Sequence, residues 1–380
     1  MDFEFTEEQR MFRNTIRRFA EERITPLVDN AEETETLPIQ LFPLMGKLGY
    51  LCVRYPPEYG GLGIGKVGEC IAVEELGRIS SGICGAIVVQ SGLATSSIYA
   101  HGTEEQKQKY LIPAIKGEII TAFALTEPNA GSDISSIETI ARKDGNNYII
   151  NGSKIFITNA PVADFILTAA YTDRGKGPRG GISLLIVEKD TPGFSCRKMH
   201  KSTTLSAEAG ELTYENLVVS ENNLVGEEGK GLSYLKETLA GGRLCISARS
   251  LGTATAAYEA SLRYSRERQQ FGQPIGKFQS IAFKLARMAM DIEAARWLVY
   301  HAAWLYDEGR KCMKEASMAK LFSTEMVERV AHEAVQIHGG YGFIANSPIQ
   351  RHFRDARVGT IAEGTSEIHQ LVISREIGLL

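Results

Sequence analysis

The fold of this chain is decided where its sequence changes period, at Asn147–Thr158, which reads NYIINGSKIFIT. Short runs rich in Ile, Tyr, Phe and Thr flank Asn151-Gly152 on both sides, as is typical of strands bounded by a turn. An Asn-Gly dipeptide favours positive φ in tight turns. We therefore predict two strands, Asn147–Ile150 and Lys154–Thr158, joined by a hairpin turn at Asn151-Gly152.

Further β-rich runs follow this stretch, separated by Gly, Pro and Asp. They are Phe165–Thr172, Gly181–Glu188 and Glu211–Val219. Short strands at this spacing indicate a barrel or a sandwich, and no helical pattern lies between them to support a parallel sheet. We predict that this β-domain covers residues 119–226.

The sequence is helical in pattern on both sides of the β-domain. In residues 1–118, Thr6 and Gln9 have the spacing of a capping box, and a loop rich in Gly and Pro interrupts the helices at Tyr55–Gly65. In residues 227–380, an apolar stripe with alternating steps of four and three predicts a long helix in a bundle. The stripe consists of Ile281, Leu285, Met288, Ile292, Ala295, Val299 and Ala302.

Composition excludes several functional classes. A formal net charge of -4 and a pI near 6.1 give no electrostatic reason to expect nucleic acid. No run of about 18 apolar residues predicts a membrane span, and the acidic N-terminus is unlike a secretory signal. Six cysteines without CxxC pairing indicate reduced, buried thiols, and His338 and His369 lack partners at metal-binding spacing. We predict no metal site.

Three glycine-containing stretches have compositions suited to a polar ligand. Phe123–Asp133 (FALTEPNAGSD) offers backbone N–H groups and hydroxyls, although a turn with an Asp N-cap explains it equally well. Arg266–Gly272 (RERQQFG) ends a helix predicted to begin near Arg243, and its arginines suit either a phosphate or the helix C-terminus. Gln336–Gly342 (QIHGGYG) reads as a C-cap or as close approach of backbone to a ligand.

The stretch Gly359–Ile368 (GTIAEGTSEI) places Glu363 among small residues. A single Glu in a loop is usually a solvated surface acid. Its neighbours Ala362, Gly364 and Thr365 would nevertheless allow a planar partner to lie against it. Burial beside such a partner would raise the pKa of Glu363 into the range of a usable base.

Taken together, these stretches resemble the acyl-CoA dehydrogenase family over nearly the whole chain. The motifs that carry the resemblance are TEPNAGSD at Thr126–Asp133, NGSKIFITNA at Asn151–Ala160, RERQQFGQPIGKFQ at Arg266–Gln279, QIHGGYG at Gln336–Gly342 and AEGTSEI at Ala362–Ile368. The resemblance implies an α+β multidomain fold with an N-terminal helical domain, a central β-barrel or sandwich and a C-terminal four-helix bundle. It also implies FAD-dependent oxidation of an acyl-CoA to the trans-2-enoyl-CoA, electron-transfer flavoprotein as acceptor, and a homotetramer built as a dimer of dimers.

The resemblance assigns roles to individual residues. Glu363 matches the base that removes the α-proton while hydride passes from Cβ to flavin N5, and Gly242 stands where some members carry that base instead. FAD contacts are implied at Phe123, Leu125, Thr126, Ser132, Phe156, Ile157, Thr158, Arg268, Gln279, Gln336, Ile337, Gly339, Gly340, Thr365, Ser366 and Glu367. Of these, the resemblance places Thr126, Phe156 and Thr158 against the flavin ring, and Arg268, Gln279 and Gln336–Gly340 against the adenylate half, partly across a subunit interface. Substrate contacts are implied at Ser132, Arg243 and Gly364.

Departures from the family pattern leave the acyl group open. Ala362 replaces a common Tyr, Ala240 replaces a residue that is often polar, and Lys201–Leu212 differs throughout. The small residues at 94–97 would leave room for a longer or branched acyl chain. Alternatives are an acyl-CoA oxidase, a dehydrogenase acting on carrier-protein thioesters, and a non-catalytic FAD-binding assembly factor. The retained Glu363 argues against the assembly factor. The expected location is the cytoplasm, or the mitochondrial matrix for a processed mature chain.

Overall fold

The computed structural model describes residues 4–380 and has helices, then a β-domain, then helices. The helices are α1 Glu7–Phe19, α2 Thr25–Thr34, α3 Leu41–Lys47, α4 Gly65–Gly77, α5 Ser81–Val88, α6 Thr95–His101, α7 Glu104–Gln106, α8 Ile112–Ile115, α9 Gly177–Gly181, α10 Gly231–Glu267, α11 Gln279–Asp307, α12 Met313–His338, α13 Pro348–Ala356 and α14 Ser366–Glu376. The strands are β1 Thr121–Ala124, β2 Ile140–Asp144, β3 Asn147–Thr158, β4 Phe165–Tyr171, β5 Ile182–Glu188, β6 Phe194–Lys198, β7 Ala209–Ser220, β8 Gln269–Gln270 and β9 Gln273–Pro274.

The N-terminal helices begin where the sequence predicts. Thr6 caps α1, accepting a hydrogen bond from the Gln9 N–H while the Gln9 side chain accepts one from Thr6. A π-helical turn, Val89–Ala94, joins α5 to α6, so Ser81–His101 is one continuous helical segment. This segment is long and apolar enough to span a membrane, contrary to the prediction. However, 78% of its most apolar window is buried within the protein, as in a core helix.

The predicted hairpin at Asn151-Gly152 is wrong. Residues Asn147–Thr158 form one long strand, β3, and the hairpin turn lies earlier, at Gly145-Asn146, between β2 and β3. Gly152 instead lies at a bulge against β7, and its φ is +148°. A Cβ atom at this position would lie 2.5 Å from Thr139 Oγ1, so both the backbone and the available space require glycine. The Asn-Gly signal therefore marks a strand irregularity and not a turn.

The sheet is mostly antiparallel, with the order β1-β4-β2-β3-β7-β6 and β5 paired to β4. The sheet is therefore not a parallel sheet, as predicted, but it contains a parallel pair that the sequence analysis did not include: β1 runs parallel to β4, with Thr121 opposite Phe165. Between β1 and β4 the chain makes a long excursion, in which it forms β2 and β3. The excursion acts as the crossover connection that a parallel pair needs, although it contains no long helix.

The C-terminal helices pack as a bundle in which α12 contacts α10, α11, α13 and α14. The predicted stripe on α11 is confirmed: Ile281 is partly buried against the core, and the other members are buried. Helix α10 begins at Gly231, twelve residues before the predicted start near Arg243, and it runs unbroken through Gly241 and Gly242. Those two glycines do not end the helix; they make room for side chains described below.

Candidate active site

The loop that carries Glu363 joins α13 to α14, and its backbone is strained. Glu363 has φ of +53° and Gly364 has φ of +101°, the left-handed region that side chains other than glycine rarely adopt. Lys320 Nζ on α12 donates a hydrogen bond of 2.5 Å to the Gly364 carbonyl. The Thr365 hydroxyl caps α14 by accepting from the Ile368 N–H. The strained conformation is therefore held from both sides.

The strained loop directs the Glu363 carboxylate towards α10. The residue as a whole is half-buried, but Glu363 Oε2 is buried, and it accepts no hydrogen bond from residues 4–380. A Cβ atom at Gly242 would lie 2.1 Å from Glu363 Oε2 and 3.0 Å from Leu93. Only glycine at position 242 leaves space for the acid, so the two positions where the family carries a base meet here.

The charges around Glu363 set its proton affinity. Burial raises the pKa of Glu363 to about 7, against the opposing effect of the cations Arg249, Arg243 and Lys320. Burial also lowers the pKa of Lys320 to about 8. An acid in this state is partly ionised near neutral pH and can accept a proton there, which is the condition for general-base catalysis.

The residues expected to face a flavin ring lie at the edge of the β-domain. Phe156 has φ of +62° at a β3 bulge, and its side chain is 65% exposed, unusual for a large aromatic residue. The neighbouring Ile157 is buried and Thr158 is half-buried. The Ile155 N–H donates a 3.0 Å hydrogen bond to the Thr126 carbonyl, so the bulge and the 123–133 loop form one surface.

A buried ion pair organises this surface, and the sequence analysis missed it. Lys154 Nζ donates to Glu127 Oε1 (2.8 Å) and to the Leu125 carbonyl (3.0 Å), with the lysine side chain fully buried. Glu127 also accepts from the Thr139 N–H. Burial lowers the pKa of Lys154 to about 8, while Lys154 overcomes the burial of Glu127 and lowers the pKa of that acid. The available signal was a lysine directly before the apolar run Ile155–Ile157 of β3 and a glutamate in the loop that follows the apolar strand β1.

The second predicted FAD region, for the adenylate half, lies at the far ends of α10 and α12. An open cleft there is lined by Arg268, Ile337, Gly339 and Gly340, together with Tyr264 and Phe343. Gln336 is exposed on the last turn of α12, and Gln279 is exposed at the first position of α11 without lining the cleft. The cleft lining includes none of the β-domain residues predicted to hold the flavin ring.

The remaining predicted contacts are placed as follows. Phe123 and Leu125 are half-buried beside Thr126, and Ser132 is exposed at the tip of the loop. Arg243 is buried and points to α12, where it donates to Ser317 Oγ at 3.4 Å. Thr365, Ser366 and the exposed Glu367 form the N-terminal turn of α14, next to Gly364. Among residues 4–380, no group of three or more His, Cys, Asp and Glu side chains could hold a metal ion.

Comparison with known protein families finds a matching domain for each of the three segments of the chain. The acyl-CoA dehydrogenase N-terminal domain matches residues 6–118, the middle domain residues 122–217 and the C-terminal domain residues 229–378. The chain therefore belongs to the acyl-CoA dehydrogenase family of oxidoreductases. This confirms the resemblance, the fold class and the enzyme class predicted from sequence.

Individual relatives are similar along their full length. The short-chain specific acyl-CoA dehydrogenase of Clostridium acetobutylicum is 44% identical over 379 residues, covering 99% of this chain and 100% of that protein. Butyryl-CoA dehydrogenase from Megasphaera elsdenii superposes with a TM-score of 0.96 at 40% identity, covering 99% of this chain and 100% of that one. A chain of the structure "Electron transferring flavoprotein of Acidaminococcus fermentans: Towards a mechanism of flavin-based electron bifurcation" has a TM-score of 0.97 at 42% identity, covering 100% of both chains.

Proposed function

We propose that this enzyme oxidises an acyl-CoA thioester to the trans-2-enoyl-CoA with Glu363 as the α-proton base. One observation carries the proposal: a buried carboxylate oxygen without a hydrogen-bond donor lies against a glycine that leaves room for it. A carboxylate that is desolvated and unpaired in this way is a stronger base than a solvated one. Relatives named for short-chain and butyryl substrates support the same reaction class.

The residues present fit FAD as the cofactor. The exposed, backbone-strained Phe156 presents an aromatic face beside Thr158 and Thr126, a surface suited to a planar ring. The cleft with Arg268 and the backbone of Gly339 and Gly340 suits the adenylate half. When bound, FAD supplies the acceptor for the hydride that leaves Cβ.

The protein's own groups manage the proton. With a pKa of about 7, Glu363 takes the α-proton once the substrate excludes water from the loop. Lys320 holds the Gly364 carbonyl, which fixes the carboxylate in place during the transfer. Gly242 leaves the approach to the carboxylate free of a side chain. Ser132, Arg243 and Gly364 are proposed to contact the thioester.

We further propose a homotetramer that works in the cytoplasm with electron-transfer flavoprotein as electron acceptor. The adenylate cleft and the flavin surface do not share lining residues, and Phe271 beside the cleft is 93% exposed. An exposed aromatic at such a place suits a contact with a second subunit. The Acidaminococcus structure supports the acceptor, and the bacterial relatives favour the cytoplasm over a mitochondrial matrix.

The test is an anaerobic titration of the FAD-loaded enzyme with saturated acyl-CoAs of increasing length. We expect at least one acyl-CoA to bleach the oxidised flavin band, and electron-transfer flavoprotein to restore it faster than air does. Faster recovery in air would indicate an oxidase. Bleaching by an acyl-carrier-protein thioester but not by any acyl-CoA would show that the substrate is a carrier-protein thioester and not an acyl-CoA. Normal FAD binding without bleaching by either thioester would support an assembly factor.

A further inference from the structure

A second charged cluster lies beneath the active site, away from every residue assigned above to FAD or the base. Lys66 and Glu69 on α4 form an ion pair, and both are 2% exposed. Arg54 joins them, with Arg54 Nε 3.6 Å from Glu69 Oε2. Although burial favours the neutral acid, Lys66 and Arg54 hold the pKa of Glu69 below its ordinary value. The cluster therefore contains two cations and one carboxylate inside the protein.

Glycines separate this cluster from Glu363. A Cβ at Gly241 would lie 3.2 Å from Lys66 Nζ, while the adjacent Gly242 faces Glu363. A Cβ at Gly92, in the π-helical turn, would lie 3.9 Å from Glu69 Oε1 and 4.0 Å from the Cys245 sulfur. Positions 92, 241 and 242 therefore bring only backbone, and no side chain, against Glu363 and the cluster.

Cys245 connects the two carboxylates. It lies one helical turn after Gly241 and Gly242, on the same face of α10, and its sulfur is 3.9 Å from Lys66 Nζ. Burial is the main cause of its raised pKa, and the charges of both Glu69 and Glu363 raise it further. Cys245 is therefore close to the cluster and within electrostatic range of Glu363, and this proximity makes the cluster a candidate to meet the far end of a bound acyl chain.

Two atoms of the cluster lack partners. In the described part of the chain, Glu69 Oε1 accepts no hydrogen bond and Arg54 Nε donates none. Hydrogen bonding from the Ser91 hydroxyl to the Glu69 carboxylate lowers the pKa of Glu69, but this contact does not reach hydrogen-bond geometry at Oε1. Arg54 Nη2 is engaged, because the Tyr55 and Ser96 hydroxyls both accept from it. One buried donor and one buried acceptor are thus left open at the same place.

The unpaired donor Arg54 Nε and the unpaired acceptor Glu69 Oε1 determine which chemical groups would fit between them. An alkyl end would leave both atoms unpaired, which buried polar groups tolerate poorly. A second carboxylate would accept from Arg54 but would face the like charge of Glu69. A hydroxyl or a carboxamide can accept from Arg54 Nε and donate to Glu69 Oε1 at once. A neutral group that can both accept and donate a hydrogen bond therefore fits these two atoms.

We propose that the acyl group of the substrate ends in such a neutral hydrogen-bonding group, a hydroxyl or a carboxamide, held by Glu69 and Arg54. The inference rests on the proposed function and names its substrate class. It concerns the end of the acyl chain remote from the thioester, so the α-proton chemistry at Glu363 is unchanged.

The test compares matched thioesters on the FAD-loaded enzyme. Each ω-hydroxyacyl-CoA is paired with the alkyl acyl-CoA of equal chain-atom number, starting with 4-hydroxybutyryl-CoA against pentanoyl-CoA. We expect the kcat/KM for flavin reduction to favour the hydroxyl member by at least about tenfold in one pair, because a site built to bind a hydroxyl rejects the analogue without it. Carboxamide chains should follow the hydroxyl series, and succinyl-CoA should react more slowly.

Variants test whether the cluster causes this preference. Gly92→Ala places a methyl group at ordinary contact distance from Glu69 Oε1, so it should fold and should lower the hydroxyl preference to near one. Lys66→Met/Glu69→Leu removes the ion pair and should reverse the preference towards alkyl chains. The matched control is Glu104→Leu/Lys107→Met, a pair with the same sequence separation, an exposed glutamate and a half-buried lysine, which should leave the preference unchanged. FAD content and melting temperature check that each variant folds.

The failures are distinguishable. If no thioester of either series bleaches the flavin, the proposed function fails. If alkyl chains react as well as hydroxylated ones, or if Gly92→Ala and Lys66→Met/Glu69→Leu retain the preference, this inference fails and the dehydrogenase function stands. A preference for succinyl-CoA would assign the cluster to a carboxylate and overturn the proposal.

Discussion

Glu363 shows how a single residue is prepared for proton transfer. Its positive φ costs about 1–3 kcal/mol in a residue other than glycine, and the loop is held by Lys320 and by the cap at Thr365. Burial then raises the pKa of Glu363 to about 7. Backbone strain and desolvation thus both act on the group that takes the proton.

Lys320→Met tests the electrostatic part of this arrangement. Glu363 acts as a base only when ionised, so kcat/KM should rise with pH through about 7 in the native enzyme. Removing a nearby cation makes ionisation harder, so the midpoint should move to higher pH, by roughly one unit for an interaction of about 1.4 kcal/mol. Flavin reduction measured across pH 5.5–9 checks this.

The exposed Lys47 provides the control. Lys47→Met should keep the native midpoint. If Lys320→Met lowers the rate without moving the midpoint, Lys320 only supports the loop and the electrostatic account is wrong.

Among the secondary-structure elements, α10 matters most for the site, because its Gly242 both packs in the helix and leaves space for the Glu363 carboxylate. Alanine favours a helix over glycine by about 1 kcal/mol. Gly242→Ala would therefore stabilise α10 if no other residue packed against position 242. Here the added methyl would clash with Glu363 Oε2. We expect Gly242→Ala to lose at least about a hundredfold in flavin-reduction rate while α10 remains folded, as judged by circular dichroism.

Ser233→Ala, at an exposed position near the start of the same helix, raises helix propensity without the clash. It should retain native activity. Native activity in Gly242→Ala would show that the carboxylate does not need the space and would contradict the geometry proposed for the base.

The Glu127–Lys154 pair performs a comparable task in the β-domain. Lys154→Met would leave the carboxylate of Glu127 buried without its cation, which costs about 3–5 kcal/mol in such pairs. We expect lower stability in urea and a reduced FAD-to-protein ratio. Lys154→Met/Glu127→Leu should recover part of the stability. A single variant with native stability and FAD content would exclude an organising role for the pair.

The elements themselves were largely predictable from local pattern. The α11 stripe and the cap at Thr6 depend on residues three or four apart, and both are confirmed. The Asn151-Gly152 turn was not, because the choice between turn and bulge depends on Thr139, a residue distant in sequence. Lys154 and Lys320 were missed for the same reason: their partners Glu127 and Gly364 become neighbours only after folding. The partner of Lys66, Glu69, is three residues away in sequence, but the burial of that pair arises only from tertiary packing.

In the molecule as a whole, one hydrophobic core of the described residues connects the three domains, and two smaller cores lie within the β-domain and within the C-terminal bundle. The largest includes residues of the N-terminal helices, of β4 and β5, and of α10 and α12. The helices that form the floor of the site are therefore fixed to the sheet that presents Phe156. Some large apolar side chains nevertheless remain exposed, among them Phe271 (93%), Phe343 (77%) and Phe283 (67%).

Phe271→Ser tests the proposed assembly. Phe271 lies on the β8–β9 hairpin, and its removal cannot cost much core packing within one chain. If Phe271 contacts a second subunit, the variant should shift the tetramer towards smaller species and lower FAD retention, as measured by light scattering and absorbance. A native tetramer with full FAD content would remove Phe271 from the interface.

Removal of the α-proton by Glu363 is the step on which the proposed function depends, and replacing its carboxylate by an amide tests this step. Glu363→Gln, the native enzyme and the exposed-site control Glu58→Gln are loaded with FAD and mixed anaerobically with a reactive acyl-CoA. We predict equal FAD content in all three, rapid bleaching in the native enzyme and the control, and a rate at least about 10⁴-fold lower in Glu363→Gln. Bleaching of Glu363→Gln at a rate near that of the native enzyme would place the base elsewhere and contradict the account.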